Sequence, residues 1–363
     1  MKKIAFIQSD LNVGGIQKSL VNLLRNLDYT EYEADLYLFE RGGFFGDSFP
    51  EKLNVIYLDT PSKRWSFRKF DTVVKKYPFR LPDPGKRYDL AVDFNSYQNV
   101  CAALAARLNA AKRVMWIHND VKIKLSGEWK YRVLWHFFKG KFKIYDSFAA
   151  VSDGLIEPFC EMSGVDPAKV GTVNNFIDAR EILRRAKEET EDFETDGNCF
   201  NLAAVGRLCY QKGYDIMLEA FCRASKERPG LRLYIIGDGE DREKLAALSG
   251  KLGIADKVRF CGNRSNPYAC LARCDAFVST SRYEGQPLNV MEAKVLGMPL
   301  IIAENLKKYV PADVECVSDV AGAMIKAEKT KPWTPDLLED YDREIARRIG
   351  ELAEYGRLKG DRL

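Results

Sequence analysis

Short apolar runs recur along this chain, and a stretch of helical periodicity or a polar, glycine-containing loop follows each of them. Lys3–Gln8, Ala34–Phe39, Asn54–Tyr57, Leu90–Phe94, Arg113–Ile117 and Ser147–Val151 form one set of such runs. Asn201–Val205, Leu231–Ile236, Val258–Phe260, Ala276–Ser279, Pro299–Ile302 and Val314–Val317 form a second. Runs that are apolar throughout, and too short for helices, suit strands buried on both faces of a parallel sheet. Ile16–Leu27, with Leu20, Leu23, Leu24 and Leu27 on one side, has helical spacing, and Tyr214–Lys226, Arg242–Leu252 and Val290–Leu296 fit between later strands. This alternation specifies βαβ units and an α/β, doubly wound architecture. Residues 178–200 break the pattern with Arg-Arg, Glu-Glu and Asp-Phe-Glu, and read as a helical or flexible connector. The expected division is 1–178, then 179–340, with a helix in 341–363 packing back on the first domain. A length of 363 residues suits two domains at roughly 100–200 residues each.

Composition removes several classes. A chain with 46% hydrophobic and 30% charged residues is neither disordered nor fibrous. A net charge of +4 is too small for a protein that coats nucleic acid, so no nucleic-acid partner is expected. Ile4–Ile7 is too short for a signal-peptide core, and no run of about 18 apolar residues suggests a spanning helix. The nine cysteines are scattered without a Cys-x-x-Cys pair, which fits reduced thiols in the cytoplasm. Cys270 and Cys274 are one helical turn apart and read as packing. With two histidines and no evident metal-binding motif, no metal and no cofactor are expected.

Ligands of doubly wound sheets sit beyond the carboxyl ends of the strands. Three loops of the second set stand there. Gly206-Arg207-Leu208-Cys209-Tyr210-Gln211-Lys212-Gly213 carries two cations five residues apart, able to converge on an anion. It is not a Walker loop, and a solvated basic loop is the bland alternative. Ile236-Gly237-Asp238-Gly239-Glu240 lacks the third glycine of a dinucleotide fingerprint, and its acids would repel a pyrophosphate. It reads as a tight turn. In the third loop, Ser281 to Ala293, Pro287 suits the first turn of a helix, leaving the amides of Leu288 and Asn289 as donors at its positive end. Glu284 precedes this helix and Glu292 lies about two turns into it. A surface capping pattern is the plainer reading. In the first set, Gly14 and Gly15 follow the first strand and permit close backbone approach to a ligand. His118 ends Arg113–Ile117, while Asp93, Asn95 and Ser96 end another strand and are candidates for an acceptor.

Gly-Arg-Leu with a later Lys-Gly, followed by Glu-x7-Glu in a Ser-x-x-Glu-Gly setting, resembles the family-4 retaining glycosyltransferases of the GT-B fold. Ala149-Ala150-Val151-Ser152-Asp153 and Val173-Asn174-Asn175-Phe176-Ile177-Asp178 resemble that family's domain-closing strand and interdomain segment. The resemblance implies two Rossmann-like domains facing a central cleft, the first for the acceptor and the second for the nucleotide sugar. It implies that Arg207 and Lys212 hold the donor diphosphate, that Glu292 bonds the ribose, and that Glu284 contacts the transferred sugar as a catalytic group. Gln286, Pro287, Leu288 and Asn289 would contribute backbone donors, Asn263 and Arg264 the nucleobase contact, and Gly14 and Gly15 the approach to the phosphate. His118 would touch the donor sugar and join Glu284 as catalytic. Glu284-Gly285-Gln286-Pro287 departs from the commoner Glu-Gly-Phe-Gly form and resembles a Glu-Gly-x-Pro subgroup of capsule and exopolysaccharide enzymes.

The implied activity is metal-independent, retaining transfer from a UDP-sugar to a glycan or polyprenyl-linked acceptor in bacterial polysaccharide assembly. The alternatives are a nucleotide-sugar epimerase of the same fold and a non-catalytic nucleotide-sugar-binding protein. Residues 61–80 and 121–143 each hold seven Lys/Arg against a single acid, interleaved with Trp, Phe and Tyr. That composition suits an anionic membrane surface with rings at the interface, hence a cytoplasmic protein held peripherally on the inner face of the plasma membrane.

Overall fold

The computed structural model describes residues 1–363 apart from 13, 44, 46–48, 61–64, 66–67, 80, 96–97, 128–131, 134, 136, 138, 191, 330–337 and 359–363. The chain divides into two compact units, one of Met1–Phe176 with Asp340–Leu363 and one of Ile177–Glu339.

The first unit is a seven-stranded sheet of β1 (Lys2–Gln8), β2 (Tyr32–Leu38), β3 (Asn54–Tyr57), β4 (Arg87–Asp93), β5 (Asn109–Ile117), β6 (Ser147–Ala150) and β7 (Val170–Thr172). All pairs are parallel and the order is β3-β2-β1-β4-β5-β6-β7. Helices α1 (Gly15–Arg25), α2 (Phe70–Lys76), α3 (Asn99–Arg107), α4 (Val121–Gly127) and α5 (Ile156–Ser163) accompany it. The last five residues of β1 and all of β6 are buried, which explains why their sequences are apolar on both faces.

The second unit opens with α6 (Ala179–Ala186) and holds β8 (Phe200–Val205), α7 (Tyr214–Glu227), β9 (Leu231–Ile236), α8 (Arg242–Lys251), β10 (Val258–Gly262) and α9 (Pro267–Leu271). It continues through β11 (Ala276–Ser279), α10 (Leu288–Val295), β12 (Leu300–Ala303), β13 (Cys316–Val317) and α11 (Val320–Lys326). Its parallel sheet runs β10-β9-β8-β11-β12-β13. Its core joins Leu202, Ala204, Leu233 and Ile235 of the strands to Met217, Leu218 and Phe221 of α7.

Strand order reverses beside β1 in one unit and beside β8 in the other. The β1 and β4 loops, and likewise the β8 and β11 loops, therefore diverge to opposite sides and leave a crevice at the strand ends. This topology decides where each unit can hold a ligand.

Some elements differ from the sequence-based expectation. The charged stretch after residue 178, read as a helical or flexible connector, is helical over Ala179–Ala186 and belongs to the second unit. Asp178 caps α6 by accepting from the amide of Glu181 at 3.0 Å, and Arg184 pairs with Glu181 and Glu188 along the helix. Arg185 donates to the Ser265 carbonyl and lies over the Tyr268 ring, so α6 is built into the second unit. Its charges are a solvated face, which hid its apolar contacts. Pro287 is the N-cap of α10, one residue earlier than the first-turn position expected of it. The last helix, α12 (Glu339–Tyr355), buries Ile345, Ile349 and Leu352 within the first unit, and its Tyr341 hydroxyl donates to the Asn175 carbonyl at 3.0 Å.

Rings of the two basic segments also depart from expectation. Phe70 and Tyr77 are buried, with Tyr77 packed on Trp65, and Trp135 and Phe142 are buried beside each other. These described rings serve the core of the first unit, because an aromatic side chain gains more from full burial than from a polar surface. Exposed residues of these segments include the cations Arg68, Lys69, Lys75, Lys76, Lys139 and Lys143, beside Asp71 and Val133. Among the described residues, no helix is long and apolar enough to cross a membrane.

Candidate functional site

The β8 and β11 loops of the second unit meet along their length. The first runs from Gly206 to Gly213. Its start is held by Leu208, whose amide donates to the Asp238 carbonyl at 3.0 Å and whose own carbonyl accepts from the amide of Asp241. A Cβ at Gly237 would run into the Gly206 carbonyl, and one at Gly239 into Leu208. The acidic Gly-x-Gly turn thus serves backbone packing, as its tight-turn reading implied. At the loop's end Gly213 adopts φ +62°, and a side chain there would strike the Thr280 carbonyl. The Thr280 hydroxyl donates to the Gly213 carbonyl at 2.9 Å, closing the two loops together.

This closure brings Lys212 to Glu284, with Nζ 2.7 Å from Oε1. The carboxylate side chain is 7% exposed and the lysine 20%, so the pair is largely screened from solvent yet reachable through the lysine. Gln211 donates from Nε2 to the Tyr283 carbonyl at 3.1 Å and to Glu284 Oε2 at 3.3 Å. Arg207, on the same loop, is exposed. Gln286 and Glu292 are buried, and α10 begins at Leu288 directly after Pro287. The first intrahelical bond is from the Val290 amide to the Pro287 carbonyl at 3.0 Å, so the Leu288 and Asn289 amides precede the ladder at the positive helix end. The Asn289 side chain is structural, because it donates to the Val205 carbonyl at 2.7 Å and so ties α10 to the end of β8.

Asn263 and Arg264 lie elsewhere on this sheet edge. Their loop follows β10, two strands from β8, or about 10 Å. Asn263 is exposed, whereas Arg264 is turned to the backbone, donating to the Cys261 carbonyl at 3.1 Å and the Asp192 carbonyl at 3.4 Å.

In the first unit, Gly14 and Gly15 open α1 at the end of β1, and no side chain caps that helix. A Cβ at Gly15 would meet nothing, so the protein itself does not demand glycine there. His118 follows β5 and is 6% exposed. Its Nε2 is 3.0 Å from the Phe94 carbonyl, which can only accept, so Nε2 carries the proton and Nδ1 is the acceptor. Burial pushes its pKa down to about 3, which keeps the ring neutral.

Asp93 is fully buried, contrary to its expected place beside an acceptor. It accepts from the Tyr145 hydroxyl at 2.5 Å and from the amide of Asn95, and burial raises its pKa to about 6. It orders the strand end from inside the sheet and presents nothing to a ligand. Asn95 is 7% exposed and donates to the Ser9 hydroxyl at 2.8 Å. Ser96 lies outside the described residues.

Sequence reasoning missed Gln211, Asp215, Thr280 and Arg282, which hold the two second-unit loops in register. Arg282 is the most connected, with a bidentate bridge to Asp215 at 2.9 and 2.6 Å. No spacing rule marks such a bridge, since its partners are 67 residues apart.

Residues 13–181 match the family model for Glycosyltransferase Family 4, and residues 186–314 match the model for Glycosyl transferases group 1. An uncharacterized glycosyltransferase of Methanocaldococcus jannaschii is 36% identical over 112 residues, 31% of this chain and 27% of that protein. A lipopolysaccharide core biosynthesis glycosyltransferase of Rhizobium meliloti is 35% identical over 115 residues, 32% of each chain. These alignments therefore span about a third or less of the relatives' own length. The Anabaena HepE chain, solved with UDP and glucose, superposes with a TM-score of 0.68 at 18% identity, over 98% of this chain and 100% of that one. The Staphylococcus aureus TarM structure gives 0.67 at 13% identity, over 98% and 97%. Two parallel-sheet units, two matched domains and this likeness of fold agree: the chain carries a Glycosyltransferase Family 4 domain over 13–181 and a Glycosyl transferases group 1 domain over 186–314, on a GT-B fold.

Proposed function

We propose that this protein is a retaining glycosyltransferase that moves a sugar from a nucleotide diphosphate sugar, with UDP as the nucleotide, to a glycan or lipid-linked glycan in bacterial polysaccharide assembly. The observation that carries this reading is the convergence at the β8/β11 switch point. One crevice edge holds Lys212, the Arg207 loop, Glu284 and the start of α10. Anion-binding groups and sugar-binding carboxylates are needed together only when phosphate and sugar belong to one ligand. The printed names of relatives support the biological setting, and the HepE likeness supports UDP.

The chemistry follows from those groups. Cleaving the bond between the anomeric carbon and the phosphate oxygen places negative charge on the departing diphosphate. Arg207, Lys212 and the α10 amides offer fixed positive potential where that charge develops. Glu284 and Glu292 accept hydrogen bonds from hydroxyls, of the transferred sugar and the ribose respectively. Retention is consistent with the acceptor oxygen attacking from the face that the diphosphate leaves, its proton passing to the departing phosphate oxygen. In the first unit, neutral His118 serves as a hydrogen-bond acceptor for a sugar hydroxyl through Nδ1. The exposed cations of 68–76 and 139–143 suit an anionic acceptor or membrane surface.

The test is a panel of nucleotide sugars incubated with the protein, with and without polyprenyl-linked glycan acceptors. Acceptor-dependent release of UDP and an α-linked product from an α-linked donor are expected, unchanged by EDTA. Interconversion of the donor sugar without acceptor would instead support an epimerase.

A further inference from the structure

We propose that Arg282 is a positioning residue of this site: it sets Lys212 against the donor diphosphate by clamping the Tyr210–Lys212 turn to the β11 loop and to the start of α7. The inference rests on the reading of Lys212 as a diphosphate ligand and extends it to a residue two positions before Glu284.

Arg282 binds three separate pieces of chain. Its guanidinium makes the bidentate bridge to Asp215, in the first turn of α7, through Nη1 and Nη2. Nη1 also donates to the Tyr210 carbonyl at 2.9 Å, and the same guanidinium lies 4.2 Å from the centre of the Tyr210 ring. Its backbone amide donates to the Gln211 carbonyl at 2.7 Å. The residues on either side of Lys212 are thus held from outside by Arg282 and Thr280. Lys212 is then left to turn toward Glu284. From behind, Asn305 donates to the Ser281 and Arg282 carbonyls at 2.8 and 3.1 Å.

The bridge is not a generic surface pair. The Arg282 side chain is only 22% exposed, and its planar fork meets a carboxylate, a ring face and the Tyr210 carbonyl at once. A flexible lysine at the end of a short turn loses entropy when it meets a diphosphate. Fixing its backbone beforehand lowers that cost. The guanidinium is engaged by Asp215 and Tyr210, so its effect on binding is expected to pass through the turn that carries Lys212.

A double-mutant cycle on nucleotide diphosphate binding tests this, with UDP titrated into the full chain by calorimetry. Where UDP gives no signal, ADP, GDP and dTDP are used in turn. Arg282→Met is expected to weaken binding by about tenfold or more, the scale of misplacing a ligand-binding group by about 1 Å. Asp215→Asn should weaken it in the same direction from the α7 side. Arg282→Lys keeps the charge but not the fork, and should leave binding close to that of Arg282→Met. The deciding result is non-additivity: Arg282→Met combined with Lys212→Ala should bind within about twofold of Lys212→Ala alone. Thermal unfolding of each variant without ligand confirms that a folded protein is being titrated. Independent, multiplying losses would show a merely structural bridge and overturn the proposal. If Lys212→Ala binds like wild type, or none of the four diphosphates binds, the diphosphate reading itself falls and takes the proposal with it.

Discussion

His118 shows how a single side chain can be tuned by its surroundings. It gives its one proton to the Phe94 carbonyl and sits against that residue's ring, where burial holds its pKa near 3. In the unfolded chain the group takes a proton near its ordinary pKa of about 6.5. Between those values the unfolded state binds more protons than the folded one. His118 therefore adds stability that is present above about pH 6.5 and lost as pH falls toward 3. His118→Gln should flatten the dependence of the urea midpoint on pH across that window, and an unaltered acid limb would contradict the assigned neutral state. Lys212 and Glu284 stand out in the sequence through loop motifs and the resemblance they carry, and the fold brings the two side chains together. Arg282 does not stand out, because one surface cation among many acquires meaning only through a partner brought near by the fold. Asp93 was misread for a related reason: position at a strand end was visible, but not which side of the sheet its carboxylate entered.

At the level of elements, strands were legible wherever both faces are buried, as in β8 and β9, since an unbroken apolar run permits few other structures. The charge of α6 left it open between a helix and a flexible connector, and β7, only three residues long, has too little pattern to read as a strand. The turns between elements carry a sharper constraint. Gly237 has φ +137° and lies against the Gly206 carbonyl. Gly237→Ala should therefore destabilise the protein by about 1–3 kcal/mol and also weaken nucleotide diphosphate binding, because the Lys212 loop must move. Gly250, inside α8 with open space around it, is the opposite case. Gly250→Ala should stabilise by up to about 1 kcal/mol and leave binding alone. Chemical denaturation with parallel titrations measures both. Equal effects of the two substitutions would refute the role given to the turn.

Over the whole molecule, the chain returns at its end to the unit in which it began. The α12 side chains Ile345, Ile349 and Leu352 complete the core of the first unit, and the Lys112 ammonium reaches the Glu354 carbonyl. Ile345→Ala should cost about 2–5 kcal/mol in unfolding of the first unit, followed by denaturation, while UDP binding to the second unit stays at the wild-type level. The net charge of +4 conceals an uneven distribution, for the exposed cations of 68–76 and 139–143 belong to one unit. With Phe70, Tyr77, Trp135 and Phe142 buried, the exposed lysines and arginines are the described groups best placed to meet an anionic surface. Binding to vesicles should depend on anionic lipid and disappear in high salt. Co-sedimentation that persists in salt would contradict a purely electrostatic contact. Function in this molecule centres on a diphosphate site at the β8/β11 switch point. Its most direct test is calorimetric titration of UDP into wild type, Lys212→Ala and Glu292→Ala. Loss of a charged hydrogen bond predicts affinity reduced by at least about tenfold in each variant. Wild-type affinity in both would contradict the assignment.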